Sequence, residues 1–382
     1  MTLAHHPEGS PRIGLIQSVK GLVSPSLKTK VKFKLHRFHC LMHSFCFWQW
    51  KHQRFVTKTP AIAVRYLGRH TAQAAVLLGI DLNNQNVSQI EDCLWLTDFP
   101  VPRAYPIPAT LTTIVPLHRT VEDIMETYAS SLRRSINKQR APYRYEVIRD
   151  KATIAEMNQT MLVPYATARH ENACHLDLNG ITQLALGDYG RLYALYCGDE
   201  LVGCHLANFY EQDGQRYWHV NRFGYPEAVF ADFKRWGEVN AINLHMALEE
   251  AIHGGFDYCD YGMSLAKPGA GLIEWKRRRK GFLGRDAGTQ FYLTLPKKGL
   301  AQFFWDSPLF SIEKGNITLH LGIPAGKTDE EILAKYHEMG YLGLYKVYLN
   351  CLTQPSDAVI DGIRNLFVEE KNPPMLITYF VP

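Results

Sequence analysis

Between Phe256 and Gly284 the chain reads FDYCDYGMSLAKPGAGLIEWKRRRKGFLG, and residue types capable of chemistry gather there. Alternating residues run to Asp260-Tyr261-Gly262, as a strand does on leaving a sheet. A Pro/Gly loop at Lys267 to Gly271 follows, then a short apolar run that delivers Trp275-Lys276 and the cations Arg277 to Lys280. A carboxylate at a strand end, a flexible loop and a lysine with a buried stem can hold an anionic substrate. The same residues also describe a β-bulge, a surface loop and a solvated basic face, so types alone leave both readings open.

Other candidates lie upstream. Arg216 to Phe223 reads as a strand with Tyr217, His219 and Asn221 on one face. His219 is the candidate general base, because an imidazole titrates near working pH; a hydrogen-bonded core histidine is the alternative. Asp260 is a candidate to orient an amine or its proton acceptor, or simply to cap a strand end. Tyr258 and Tyr261 are candidate proton donors to a leaving group, with core packing expected of at least one. Arg133 and Arg134 either meet phosphates or complement the C-terminal end of a helix.

Two patterns resemble metal sites. His36, His39, Cys40, His43 and Cys46 have i, i+3, i+4 spacing that would gather ligands on one helical face. The surrounding cations oppose a divalent ion and no second ligand pair follows, so no metal is expected. His245, Glu249 and His253 sit one helical turn apart without forming HExxH, which reads as a solvated or partly buried stripe.

The whole chain sets bounds. Its 382 residues suggest about two domains, and 46% apolar with 21% charged content is that of an ordinary soluble protein. The net charge of +5 is unevenly spread: residues 1–70 carry 12 Lys/Arg and one acid, and the remainder carries 30 Lys/Arg and 36 acids. A basic arm thus precedes a mildly acidic globule. The eight cysteines form no CxxC pair and no even framework, which favours reduced thiols and a cytoplasmic setting. The N-terminus has no signal-peptide pattern, and no run approaches the apolar length of a membrane span. Lys28, Lys30, Lys32 and Lys34 share one face at strand spacing. A solvated edge strand, a membrane-surface contact beside the aromatic run Cys40 to Trp50, and a nucleic-acid contact all fit that ladder.

The elements that must position these residues follow in order. Ala61 to Leu67, Ala74 to Ile80, Cys93 to Thr97 and Thr110 to Leu117 read as strands. Thr120-Val-Glu-Asp opens a helix with a capping-box arrangement, and Val121, Ile124, Met125, Tyr128 and Leu132 carry its period into the cations Arg133 to Arg140. Tyr143 to Ile148 is a strand and Ile154 to Ala168 a helix. Hairpins turn at Gly198-Asp199-Glu200 and at Asp213-Gly214. Glu238 to His253 is a long helix closed by Gly254-Gly255, and Thr289 to Leu295 is a strand. Beyond Pro296 a capped helix from Thr328 through Tyr336, continued by Gly340 to Tyr348, a helix at Asp357 to Phe367 and a closing strand at Met375 to Val381 are expected.

With that order in hand, three signatures carry a resemblance. They are the helix ending Ser130-Ser131-Leu132-Arg133-Arg134-Ser135-Ile136-Asn137-Lys138, the run Leu201-Val202-Gly203-Cys204-His205-Leu206-Ala207, and Asp260-Tyr261-Gly262 followed by Glu274-Trp275-Lys276. Over residues 110–295 the chain resembles the GNAT superfamily of acyltransferases, in its FemAB-like and BioF2-like branch, whose "DFG…FK" pattern stands here with Tyr261 and Trp275. No Q/RxxGxG loop precedes the Glu238 helix, where Phe233-Lys234-Arg235-Trp236-Gly237 stands instead, which weakens an acyl-CoA assignment more than it weakens the fold.

The resemblance implies an α+β (mixed α/β) fold with a central mixed, largely antiparallel sheet flanked by helices. It implies a degenerate first GNAT-like half over 59–118 and the transferase domain over 119–298, between the basic arm that charge marks over 1–58 and the helical extension that the element pattern gives over 299–382. It further implies an N-acyltransferase taking acyl-CoA as co-substrate. Backbone near His205, Leu206 and Ala207 would meet the acyl oxygen, Lys276 would bind a phosphate or the oxyanion, and Asp260, His219 and Tyr258 would act in catalysis. The acceptor would be an amine of a small molecule or cell-envelope precursor. Transfer RNA or an acyl carrier protein would be alternative donor carriers, and the arm would offer a peripheral membrane contact. An aminoacyl-tRNA-dependent transferase and a non-catalytic binding module are the rival readings.

Overall fold

The computed structural model describes residues 51–56, 63–78, 93–169, 177–285, 290–295, 299–368 and 372–381. The lysine ladder at 28–34 and the His/Cys cluster at 36–46 lie outside the described residues. The end of the expected basic arm is strand β1 (Lys51–Val56), paired antiparallel with β2 (Ala63–Gly68).

β2 runs parallel to β3 (Cys93–Thr97). A parallel pair needs a crossover, and the chain makes part of it as the Thr71–Leu78 helix. This corrects the strand expected over Ala74 to Ile80. A short apolar run reads alike in either conformation; the parallel pairing decides, and Ala74, Ala75, Leu77 and Leu78 are buried by the helix. β4 (Tyr105–Pro108) stays with this sheet, whereas β5 (Thr110–Pro116), two residues on, belongs to the next.

Thr120 makes both hydrogen bonds of the capping box. The single helix expected from there to Arg140 is two, Val121–Glu126 and Ser130–Gln139. Thr127 turns its hydroxyl back onto the Ile124 carbonyl at 2.7 Å, and Tyr128 turns into the core. The expected Ile154 to Ala168 helix is likewise interrupted: Lys151–Met157 and Val163–Arg169 are joined by a π-helical turn, Asn158–Leu162. A helix at Leu178–Leu186 follows that sequence periodicity did not announce.

β6 (Tyr143–Ile148), β7 (Gly190–Cys197), β8 (Glu200–Gln212) and β9 (Gln215–Gly224) form an antiparallel run. Asp213 and Gly214 both have positive φ (52° and 77°), the two-residue turn whose twist suits a hairpin. The long helix starts at Phe233, not Glu238, because Asp232 caps it by accepting from the Lys234 and Arg235 amides. It carries the chain over one face and returns it as β10 (Tyr258–Leu265), parallel to β9 and antiparallel to β5. With β11 (Phe282–Arg285) the sheet order is β11-β5-β10-β9-β8-β7-β6. The mixed, largely antiparallel sheet flanked by helices is therefore present. Trp218, Cys259 and Val115 pack on one face with Met125, Leu244 and Leu248; Leu192, Ala194 and Leu206 pack on the other with Ile154, Met157 and Ile181.

β12 (Gln290–Thr294) returns to the first sheet, between β3 and β4. Residues 299–382, expected as a helical extension, instead carry a third sheet: β13 (Leu309–Glu313), β14 (Asn316–Ile323), β15 (Lys346–Cys351) and β16 (Met375–Phe380). The capped helix from Thr328 is there as Asp329–Tyr336, but it does not continue over 340–348. Gly343 takes φ 84°, which ends helical geometry, and β15 begins three residues later. First and third sheets share one core, from Val64 and Leu94 to Leu319 and Val347. Two sheets thus cut across the expected boundary at 118, and the shared core cuts across the one at 298.

Candidate functional site

β9 and β10 pair at three positions, Tyr217↔Tyr258, Trp218↔Cys259 and His219↔Asp260, and then part. Both strands are irregular at that point. β9 carries one extra residue, Asn221, against β8, and β10 bulges between Asp260 and Met263 with Gly262 at φ 75°. A Cβ on Gly262 would lie 3.2 Å from His219 Cε1, so both the backbone angle and the close approach ask for glycine. Asp260 is therefore not at a strand end, as the sequence suggests, but at a bulge in mid-strand where two parallel strands separate.

There Asp260 Oδ2 lies 3.0 Å from His219 Nδ1 and accepts the Tyr210 hydroxyl at 3.0 Å, while Oδ1 accepts the Gly262 amide at 2.8 Å. Burial alone would raise the Asp260 carboxyl. The hydrogen bond and charge of His219, the Gly262 N–H and Tyr210 outweigh it and hold the pKa below the ordinary carboxylate value. An ionised carboxylate only accepts, so whenever the imidazole is neutral it donates from Nδ1. Nε2 is then left with its lone pair, on a ring 24% exposed against 9% for the Asp260 side chain. A buried carboxylate that fixes the tautomer of a more exposed imidazole is the arrangement of a general base.

Alternation places Tyr210, Tyr217 and Tyr258 beside this pair on the same face. Their rings stack in a row, 4.8 Å and 5.0 Å between centroids. Tyr258 thus stands with the site. Tyr261 points to the opposite face, buried against Trp275. Tyr210 escaped the sequence reading, although the Asp213-Gly214 turn sets it opposite Tyr217 and so one row from His219.

Lys276 is brought close, but in another role than the one expected. It is 1% exposed, and Nζ donates to the Gly262 and Met263 carbonyls at 2.7 and 3.1 Å. Burial pushes its pKa down to about 7 against the pull of the Asp260 charge. It braces the β10 bulge from inside and does not reach a surface where a phosphate could meet it. Of the cations beside it, Arg279 is also buried, its guanidinium 3.9 Å over Trp275, and Arg277 is bound to Glu274 at 2.7 Å. The run is thus not simply a solvated face.

His205, Leu206 and Ala207 lie in the middle of β8 with no exposure, paired to β7 and β9 on either side. None of them offers accessible surface. His205 sits among Tyr193, Trp218 and Phe223, and burial drags its pKa down to about 3, so it is neutral. Arg133 and Arg134 are on the Ser130–Gln139 helix, which accompanies Met125 and Trp218 on the face away from His219. Arg134 is exposed and returns its Nε to the Ser130 carbonyl at 3.3 Å. His245 is fully buried, its Nε2 3.2 Å from the half-buried Glu249, and His253 is exposed, so the three form the partly buried stripe that was one of the two expected forms. Among the described residues, no group of three His, Cys, Asp or Glu is placed to hold a metal, and no helix is long and apolar enough to cross a membrane.

No family model matches the chain, and no curated protein matches it. Solved structures do. FemX aligns over 67% of this chain and 90% of its own, at 10% identity and a TM-score of 0.37. The L-PGS of Bacillus licheniformis covers 65% and 85%, at 12% identity and a TM-score of 0.32. A GCN5-related N-acetyltransferase from Anabaena variabilis covers 87% and 86%, at 10% identity and a TM-score of 0.27. Likenesses of this strength concern the fold, and the functional reading rests on the chain's own side chains.

Proposed function

We propose that the chain is an acyl- or aminoacyltransferase whose general base is His219, held by Asp260 and Tyr210. The observation that carries it is the Nδ1 contact of His219 to a carboxylate with lowered pKa, at the point where β9 and β10 part. In the reaction His219 Nε2 takes a proton from the acceptor amine as its nitrogen attacks the donor carbonyl carbon. Asp260 steadies the imidazolium that forms. The tetrahedral intermediate expels the donor's sulfur or oxygen as a thiolate or alkoxide, and the proton held by His219, passed directly or relayed through Tyr258, neutralises that leaving group.

The donor is an acyl thioester, on CoA or a carrier protein, or an aminoacyl ester on tRNA; the acceptor is an amine of a small molecule or cell-envelope precursor. Purified protein incubated with each donor class and a panel of amines, read by mass spectrometry, tests the reading. Transfer by the wild type that falls with His219→Ala supports it, and no transfer from any donor class contradicts it. An aminoacyl-tRNA donor would show binding that weakens steeply with salt, through the excess of cations in residues 1–70.

A further inference from the structure

A cavity of about 450 Å³ lies between the Val121–Glu126 and Ser130–Gln139 helices, lined by Glu122, Met125, Glu126, Arg133, Asn137 and Arg140. Met125 packs with Trp218 and Cys259, the neighbours of His219 and Asp260 that point the other way, so this cavity and the dyad occupy opposite faces of the sheet. Glu122 and Glu126 are spaced i, i+4 on one helix. Arg133, Asn137 and Arg140 follow i, i+4, i+7 on the other, so the first wall is acidic and the second basic. One ion pair bridges them, Arg140 Nη1 to Glu122 Oε1 at 3.5 Å. Arg140 is drawn away from the cavity as well, 3.1 Å from Nε2 of the buried His245 and 3.8 Å from Glu249. Among the described residues, the guanidinium of Arg133 and the carboxylate of Glu126 have no hydrogen-bond or ion-pair partner, although they line one volume. Opposite charges left apart across a space of ligand size are complementary to a molecule that carries both.

We propose that this cavity binds a small zwitterion, a free amino acid or dipeptide, with its ammonium on Glu126 and Glu122 and its carboxylate on Arg133 and Asn137. Contacts of this kind, half open to water, contribute little each, so the affinity is roughly millimolar.

Thermal-shift titration of the full chain tests this with L-alanine and L-alanyl-L-alanine as probes, and N-acetyl-L-alanine and L-alaninamide as controls that lack one charge. The zwitterions should raise the melting temperature by at least about twice the shift of either control. Glu126→Gln and Arg133→Gln should each remove that excess, and His219→Ala should leave it intact, which separates this site from the proposed base. Equal shifts from the controls, an undiminished excess in both variants, or no shift from any probe overturns the proposal. So does stabilisation by CoA or tRNA alone that depends on Arg133, which would make the cavity a donor-phosphate contact.

Discussion

The grouping of His219, Asp260 and Tyr210 is repeated at the ends of β2 and β3. There Asp98 lies 2.8 Å from His70 Nδ1 and accepts the Tyr66 hydroxyl at 2.7 Å. Its carboxyl also titrates low: burial would raise it, and hydrogen bonds from His70, the Arg69 amide and Tyr66 outweigh burial. The surroundings differ. Asp98 accepts the Arg69 and His70 amides at 2.6 and 3.2 Å, just ahead of the Thr71–Leu78 helix, and so binds backbone donors that lead into the helix. A Cβ on Gly68 would fall 2.4 Å from its carboxyl, so the turn is built around it. The His70 side chain is 45% exposed. Asp260 spends one oxygen on a single amide and the other on side chains, where two strands part. The same three side chains thus tie down a turn in one place and poise an imidazole in the other. The backbone around them makes the difference.

That contrast can be broken by paired substitutions. His219→Ala should lower the transfer rate by roughly 10²- to 10⁴-fold, the span of general-base catalysis, whereas His70→Ala should stay within about twofold; comparable losses would erase the distinction. Asp260→Asn should cost on the order of 10²-fold in rate by releasing the imidazole tautomer. Asp98→Asn should act instead on stability, by about 1–3 kcal/mol in urea unfolding, because it sets an amide against the Arg69 and His70 amides and the Tyr66 hydroxyl.

Lys276 separates the two regions by pH. Its folded pKa of about 7 lies below the ordinary 10.5. Between those values the unfolded chain holds a proton that the folded one lacks, so this group's contribution to stability rises with pH across that window and is lost as pH falls to 7. Lys276→Met should flatten the rise in urea midpoint from pH 7 to pH 10; an unchanged slope would mean that the lysine is not desolvated. The smallest effects belong to the hydroxyls. Tyr210→Phe should slow transfer by roughly tenfold or less, and Tyr66→Phe should cost about 1 kcal/mol of stability without a change in rate.

Local chemistry was legible in the sequence. The capping box at Thr120, the helix cap at Thr328 and the turn at Asp213-Gly214 are specified by residues three or fewer apart, and they form as expected. His219 and Asp260 could be named by type, but their contact spans 41 positions and depends on β10 returning parallel to β9. No local pattern reports that register. The Lys276 bond to Gly262 depends on a bulge, which no periodicity displays. His205 to Ala207 were misplaced because a hairpin strand reads alike at the edge and in the middle of a sheet, and here ladders on both sides seal it.

General-base action by His219 depends on which of its ring nitrogens carries the proton. Nitrogen-15 NMR of histidine-labelled protein, with His219 assigned by its loss in His219→Ala, reads this directly and needs no substrate. With the imidazole neutral, Nδ1 should be the protonated nitrogen and Nε2 the bare one, and Asp260→Asn should shift the population towards the Nε2–H form. A wild-type ring protonated on Nε2, or a tautomer indifferent to Asp260, would contradict the general-base assignment.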